Sequence, residues 1–260
     1  MGHLATERPL IKMINILKNY LRYTQLHFLI LKFTNPDYIK WINKEISFHK
    51  KFLKNNIQLI FDLGANLGDK SHIFLKFSKN IILYEPEEKL VKKLNLRFRK
   101  NKGVKIRNYV VYDTIKEIDF YSAEGRESHS SIIKGYLENF SYIKDKNTVL
   151  KRKNTTTLNK EIDLYGIPDY CKIDCEGSEY EILKNLDFKI KIISFEANLP
   201  KFYQNTIDIV KIFEKKFSSK FNLRKNNEYN FYFEENIDSQ KIDDTLFKSK
   251  EVFEVFIITK

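Results

Sequence analysis

Glycine and proline are scarce in this chain of 260 residues, eight and five in all, which excludes a collagen-like or low-complexity polymer. Cysteine is scarcer still. Cys171 and Cys175 lie four apart in a predicted strand, so their α-carbons fall roughly 13 Å apart, beyond the roughly 7 Å a disulfide spans. Reduced thiols in a cytoplasmic protein are therefore expected. A Cys-x-x-x-Cys also begins the radical-cluster motif, but Ser178 stands where a third cysteine is needed. Long apolar runs are missing too: the longest patch, Leu26 to Phe33, is short and holds His27 and Lys32, so no helix is expected to span a bilayer. The first ten residues hold no sustained apolar core, so no secretory signal is expected. The dozen residues before Met13 are compatible with a leader and are left out of the fold expectation. No His-Glu-x-x-His or zinc-ligand spacing occurs, and no Gly-x-Ser-x-Gly elbow, so zinc and serine hydrolase chemistry have no footing.

What is present is a core-forming composition, 42% hydrophobic and 14% aromatic, which excludes disorder. The net charge of +12 suits an anionic partner. Yet only eight of the forty-six basic residues are arginine, the residue preferred for forked recognition of phosphate or bases. A solvated, compositionally biased surface accounts for most of the surplus, with an acidic substrate or membrane headgroups as the alternative.

Residues 1–56 read as a helical extension. Ile14, Leu17 and Leu21 share a face while Lys12, Lys18 and Arg22 take others. Such a helix can lie on a membrane surface, but packing on its own domain or on a second subunit is the expectation. From Ile57 strands alternate with helices, which predicts a parallel sheet covered on both faces. Strands are expected at Ile57–Leu63, Ile81–Tyr84, Val104–Val111, Tyr170–Asp174 and Ile192–Glu196, with Asn230–Phe233 and Val252–Thr259 closing the sheet. Helices are expected at Asp69–Ser78, Glu87–Lys100, Ser178–Leu186 and Thr206–Phe217. A capping box is expected at Ser178–Glu181. Residues 112–168 form a long departure, with added strands at Glu117–Ala123 and Thr148–Thr155 and a polar, turn-rich Gly125–Ser131. An insertion of that size reads as a lid or substrate wall.

Three motifs carry chemistry. In Phe61-Asp62-Leu63-Gly64-Ala65-Asn66-Leu67-Gly68-Asp69 a strand ends, a glycine loop turns and a helix begins, which is where open parallel sheets bind nucleotides. It is not the dinucleotide fingerprint, because Asn66 and Asp69 occupy its second and third glycine positions. Asp62 would oppose a pyrophosphate but suits a cationic ligand, such as the ammonium and sulfonium of S-adenosylmethionine. Asn66 suits a left-handed turn. Glu85, 21 residues beyond Gly64, stands near the spacing at which an acid holds ribose hydroxyls. Finally, Lys172-Ile173-Asp174-Cys175-Glu176-Gly177 places charged groups at the end of the fourth strand. There Asp174 and Glu176 share a face if the strand continues, or else one caps the next helix.

FDLGANLGD, YEPEEKL, KIDCEGSEYEILKNL and SFEAN together resemble the FkbM family of S-adenosylmethionine-dependent methyltransferases, over roughly Ile57 to Leu199. The resemblance implies a seven-stranded Rossmann-like α/β sheet, with S-adenosyl-L-methionine as cofactor and O-methylation of sugar or polyketide hydroxyls. Asp62, Gly64, Asn66, Gly68 and Glu85 match cofactor-binding positions, and Ala65, Pro86, Asn108, Val110 and Asp174 complete the expected cofactor site. Glu176, Gly177 and Glu196 match further family acids and turns. His129-Ser130-Ser131 resembles a serine-containing turn.

The expected activity is methyl transfer to a hydroxyl of a sugar or cell-surface glycan, in which the protein's main task is alignment. A base must take the hydroxyl proton; Asp174 is the first candidate, Glu176 the second and His129 the third. No metal is expected. The rivals are a nucleic-acid (RNA) methyltransferase, suggested by charge and the basic Arg97–Arg107 segment, and a non-catalytic module that keeps only the cofactor pocket. A glycan or small-molecule acceptor is the expected partner, without nucleic acid, with peripheral membrane contact and a homodimer left open. Substrate choice is expected in the N-terminal fifty residues and beyond Asn198.

Overall fold

The computed structural model describes residues 34–54, 56–123, 126–134, 148–247 and 249–260. Seven strands form the main sheet: β1 (Ile60–Leu63), β2 (Ile81–Tyr84), β3 (Val104–Arg107), β8 (Tyr170–Ile173), β9 (Ile192–Ala197), β10 (Lys220–Lys225) and β11 (Phe253–Ile258). Their order is β10-β11-β9-β8-β1-β2-β3, and β11 alone runs antiparallel to its neighbours. Helices α1 (Pro36–His49), α2 (Asp69–Phe74), α3 (Glu88–Phe98), α4 (Leu158–Tyr165), α5 (Glu179–Leu183), α6 (Tyr203–Phe217) and α7 (Ser239–Leu246) accompany it. This is the Rossmann-like methyltransferase sheet expected from the sequence.

The central strands β1, β2 and β8 are buried along their whole length, as crossover helices on both faces require. Strand alternation divides their side chains between two cores. Phe61, Leu63, Ile82, Tyr84, Cys171 and Ile173 face one core, which α6 completes with Ile207, Val210 and Phe213. Ile60, Ile81, Leu83 and Tyr170 face the other, against Ile42 of α1, Ile73 and Phe74 of α2, and Leu94 and Phe98 of α3. The same alternation sends Asp62 and Lys172 to the second face, where parallel pairing sets them side by side.

The described part of the N-terminal extension packs on its own domain. Asn35 caps α1 by accepting from the Tyr38 N–H. Phe48 meets Phe52, Phe231 and Phe256 edge-on. Glu45 is held by Lys70 of α2 at 2.7 Å and Arg224 of β10 at 3.1 Å, and Arg224 lies 4.6 Å above the Phe48 ring. Ile14, Leu17 and Leu21 lie outside the described residues. Among the described residues no helix is long and apolar enough to cross a membrane.

The insertion forms a second sheet, β4-β7-β5-β6, from β4 (Val110–Tyr112), β5 (Glu117–Ala123), β6 (Arg126–Ser131) and β7 (Thr148–Thr157). Its two ends are stitched together, since β4 pairs in parallel with the last three residues of β7. Lys151 and Lys153, on one face of β7, grip Glu87 and Glu88 at the start of α3, the second pair at 2.8 Å.

Several expectations are corrected. Val104–Val111 is two strands in different sheets, broken where the Asn108 amide donates to the carbonyls of Glu85 and Pro86. Gly125–Ser131 contributes strand β6, because its backbone can pair with β5. Asn230–Phe233 is irregular, its Phe231 ring filling a gap beside Phe48 and Phe52; Lys220–Lys225 supplies the strand instead. Ser178 makes no capping bond to α5. Its hydroxyl donates to the Cys175 carbonyl, and Glu179 accepts from the Cys175 N–H. Strand β8 stops at Ile173, so Cys175 is not on a strand, and both cysteines are free.

Candidate active site

The carboxyl ends of β1, β2 and β8 open into a cavity of about 610 Å³, the open space at its mouth included. Gly64, Asn66, Glu85, Pro86, Val110, Asp174 and Glu176 reach its wall, all positions singled out in the sequence. The second sheet closes the opposite side through Phe120, Ser130 and Ser131. Ser131 ties the two halves together, its hydroxyl donating to the Glu176 carbonyl at 3.0 Å.

Glu85 is 4% exposed, and each carboxylate oxygen accepts one backbone N–H at 2.8 Å, from Asn66 and from Glu87. A carboxylate has about four acceptor positions, so two remain for a pair of hydroxyls. Burial pushes its pKa up to about 7, against the pull of those two N–H groups. Asn66 takes the left-handed turn expected of it, at φ 53°. Gly64 holds φ +74°, and a Cβ there would lie 1.9 Å from the Asp174 carbonyl oxygen. Only glycine lets the loop and the end of β8 approach this closely.

Other predicted positions support the loop rather than face the cavity. Asp62 is fully buried on the α2 face. It accepts from the Ser71 hydroxyl at 2.5 Å and lies 3.6 Å from the Lys172 ammonium. Ala65 is buried and donates to the Tyr84 carbonyl. Gly68 packs where a Cβ would strike Leu94 and Phe98. Asn108 braces the loop after β2 as described above. His129 lies on β6, and its side chain falls outside the described residues.

Lys172 links the two acids of the site. Its ammonium lies 3.1 Å from Asp174, 3.6 Å from Asp62, and donates to the Gly64 carbonyl at 3.2 Å. Burial would lower its pKa, but Asp174 and Asp62 together hold it raised and charged. Asp174 also borders a second cavity of about 760 Å³, whose wall includes Trp41, Glu196, Arg224 and Tyr229. Glu196, next to last in β9, lies there. Burial, and the nearby charges of Asp174, Glu176 and Glu179, push its pKa up to about 8. The sequence marked Glu196 only as a strand-end acid, and nothing in its local pattern told of the carboxyl cluster around it. Trp41, Arg224 and Tyr229 carried no motif at all. Among the described residues no cluster of His, Cys, Asp or Glu is arranged to hold a metal ion.

A parallel sheet with one reversed strand near its edge, a glycine loop after β1 and an acid after β2 define a Rossmann-like methyltransferase. The profile of the Methyltransferase FkbM domain matches residues 62–243, and the chain belongs to that family. S-adenosylmethionine is therefore its cofactor. Solved structures similar to the chain include methyltransferase FkbM from Methylobacillus flagellatus KT, at 11% identity and TM-score 0.48, covering 78% of this chain and 43% of that one. Precorrin-6y C5,15-methyltransferase from Geobacter metallireducens GS-15 is 12% identical with TM-score 0.45, covering 84% and 86%. An rRNA methylase from Streptococcus thermophilus is 8% identical with TM-score 0.40, covering 85% and 94%. No curated protein sequence matches the chain.

The cavity fits that cofactor by its chemistry. Pro86, Leu90, Val110 and Phe120 offer apolar walls to a flat base, Glu85 the two open acceptor positions to a ribose, and Gly64, Asn66 and Asp174 a polar end.

Proposed function

We propose that the chain is an O-methyltransferase of the cytoplasm, acting on a hydroxyl of a sugar or glycan. The observation that carries this reading is the position of Asp174 in the wall common to both cavities. Cofactor on one side and acceptor on the other would meet at this residue.

When bound, S-adenosylmethionine supplies a methyl group already activated by its sulfonium. What the chain must add is alignment and a proton acceptor, since an alcohol is a poor nucleophile. Asp174, 3.1 Å from the Lys172 ammonium, accepts a hydrogen bond from the hydroxyl and aims its oxygen. Glu196 takes the proton as the new carbon–oxygen bond forms. Its pKa of about 8 lies close to working pH, where a general base is most effective. Glu176 shapes the turn instead, with φ +54° and its carbonyl held by Ser131.

The test combines a pH profile with two substitutions, using labelled cofactor and a panel of glycans and RNA. Label should enter a glycan hydroxyl, with turnover at saturating cofactor rising with pH through about 8. Glu196→Gln should abolish that rise, and Asp174→Asn should lower turnover at saturating cofactor by about 10²-fold or more. Label in RNA alone, or an unaltered profile in Glu196→Gln, would overturn the reading.

A further inference from the structure

The second cavity has a composition that the cofactor does not need. Four cations face it, Lys70, Lys172, Arg224 and Lys225. Each is already matched with a carboxylate: Lys70 with Glu45 at 2.7 Å, Lys172 with Asp174 at 3.1 Å, Arg224 with Glu254 at 2.5 Å, and Lys225 with Glu251 at 2.7 Å. An anionic ligand would have to displace one of these carboxylates, and at Glu45 it would meet a group shielded from water. Breaking a buried pair leaves an uncompensated charge, which is strongly unfavourable. Two half-buried aromatic rings, Trp41 from α1 and Tyr229 from the loop after β10, stand in the same wall beside the amides of Asn226 and Asn227.

We propose that this cavity is the acceptor pocket, and that it is built for an uncharged, polyhydroxylated ring rather than for a phosphorylated or acidic one. The apolar face of such a ring packs on Trp41 or Tyr229. Its hydroxyls donate to carboxylates whose remaining lone pairs are open, and accept from the Asn226 and Asn227 amides. Asp174 then marks the inner end of the pocket, where one hydroxyl faces the methyl group. The N-terminal extension is thereby part of the active site, because α1 supplies Trp41 and fixes Arg224 through Glu45. The net charge of +12 has no bearing on this choice, since the cations in the pocket are neutralised in place. This inference rests on methyl transfer to a hydroxyl, and adds where the acceptor sits and what charge it bears.

Trp41 is the single tryptophan of the chain, so its emission reports on this pocket alone. The full chain, saturated with S-adenosylhomocysteine, is titrated with methyl glucoside, glucuronate and glucose phosphate. The neutral glycoside should shift Trp41 emission at concentrations about tenfold or more below those at which either anion acts. Tyr229→Ala should remove that response with homocysteine-product affinity unchanged. Asn226→Ala, at an exposed position with ordinary backbone geometry, should weaken it. Tighter binding of an anion, no response to the neutral probe, or an undiminished response in both variants would each overturn the pocket assignment. Failure of the underlying reaction is seen separately. Label on a nitrogen or on RNA defeats the O-methyl reading whatever Trp41 reports, whereas label on a glycan hydroxyl with unchanged KM in Tyr229→Ala defeats the pocket alone.

Discussion

At the scale of single residues, Glu85 faces the cavity just after β2, while Asp62 on β1 lies buried away from it. A strand-end acid 21 residues after the glycine needs only a spacing to be found, and the structure places Glu85 in the cavity wall. Asp62 has the same one-dimensional signature, but alternation along β1 turns it toward α2, and parallel register hands it Lys172 as neighbour. Strand spacing alone could show neither. Glu85→Ala should weaken binding of S-adenosylhomocysteine by about 1.5–3 kcal/mol, the worth of hydrogen bonds to a charged group. It should also lower stability, because the N–H groups of Asn66 and Glu87 lose their acceptor. Titration calorimetry and thermal melts on one preparation check both, and unchanged affinity in the folded variant would remove Glu85 from the cofactor site.

Among the elements, the parallel core strands and their crossover helices were legible because burial on both faces demands continuous apolar runs. The edge was not. In Lys220–Lys225 charged residues flank Phe221 and Leu223, which hides the strand, while Asn230–Phe233 imitates one with rings that only fill space. The role of α1 was also hidden, since Glu45 meets Arg224 from 179 positions away. Glu45 binds both Lys70 and Arg224 in a buried setting, and removal of one member of a buried charge group costs about 3–5 kcal/mol. Glu45→Ala should therefore destabilise the chain by an amount of that order in urea unfolding, with Glu45→Gln falling between. A loss below about 0.5 kcal/mol, the usual range of surface changes, would show that α1 is not anchored in this way.

For the molecule as a whole, burial of titratable groups sets how stability varies with pH. Burial lowers the pKa of His49 and His72 to about 4. Stability from keeping them neutral is present above about 6.5 and is lost as pH falls through 4. Burial raises Glu85 and Glu179 to about 7 and Glu196 to about 8. Their contribution is complete below about 4.5 and is lost as pH rises through 7 to 8. Between about 4.5 and 6.5 the three carboxyls outweigh the two histidines, so together these groups place greatest stability near pH 4.5. Melting temperatures of the cofactor-free chain should fall on both sides of that value, and a curve flat from pH 6 to 9 would contradict the assignment of these three carboxyls.

The parallel stitch between β4 and the end of β7 has a consequence for how such a chain can diversify. Val110, Val111 and Tyr112 lie in register with Thr155, Thr156 and Thr157, and the Thr155 hydroxyl fastens the same spot to the carbonyls of Thr114 and Lys116. The stretch between them leaves and re-enters through a single closed stem. In polymer terms the ring is shut at its base, so doubling the length beyond the stem costs only about 0.6 kcal/mol of closure entropy. The parts of it that lie beyond the cavity wall of Phe120, Ser130 and Ser131 can lengthen, shorten or be exchanged while the sheet beneath keeps its register.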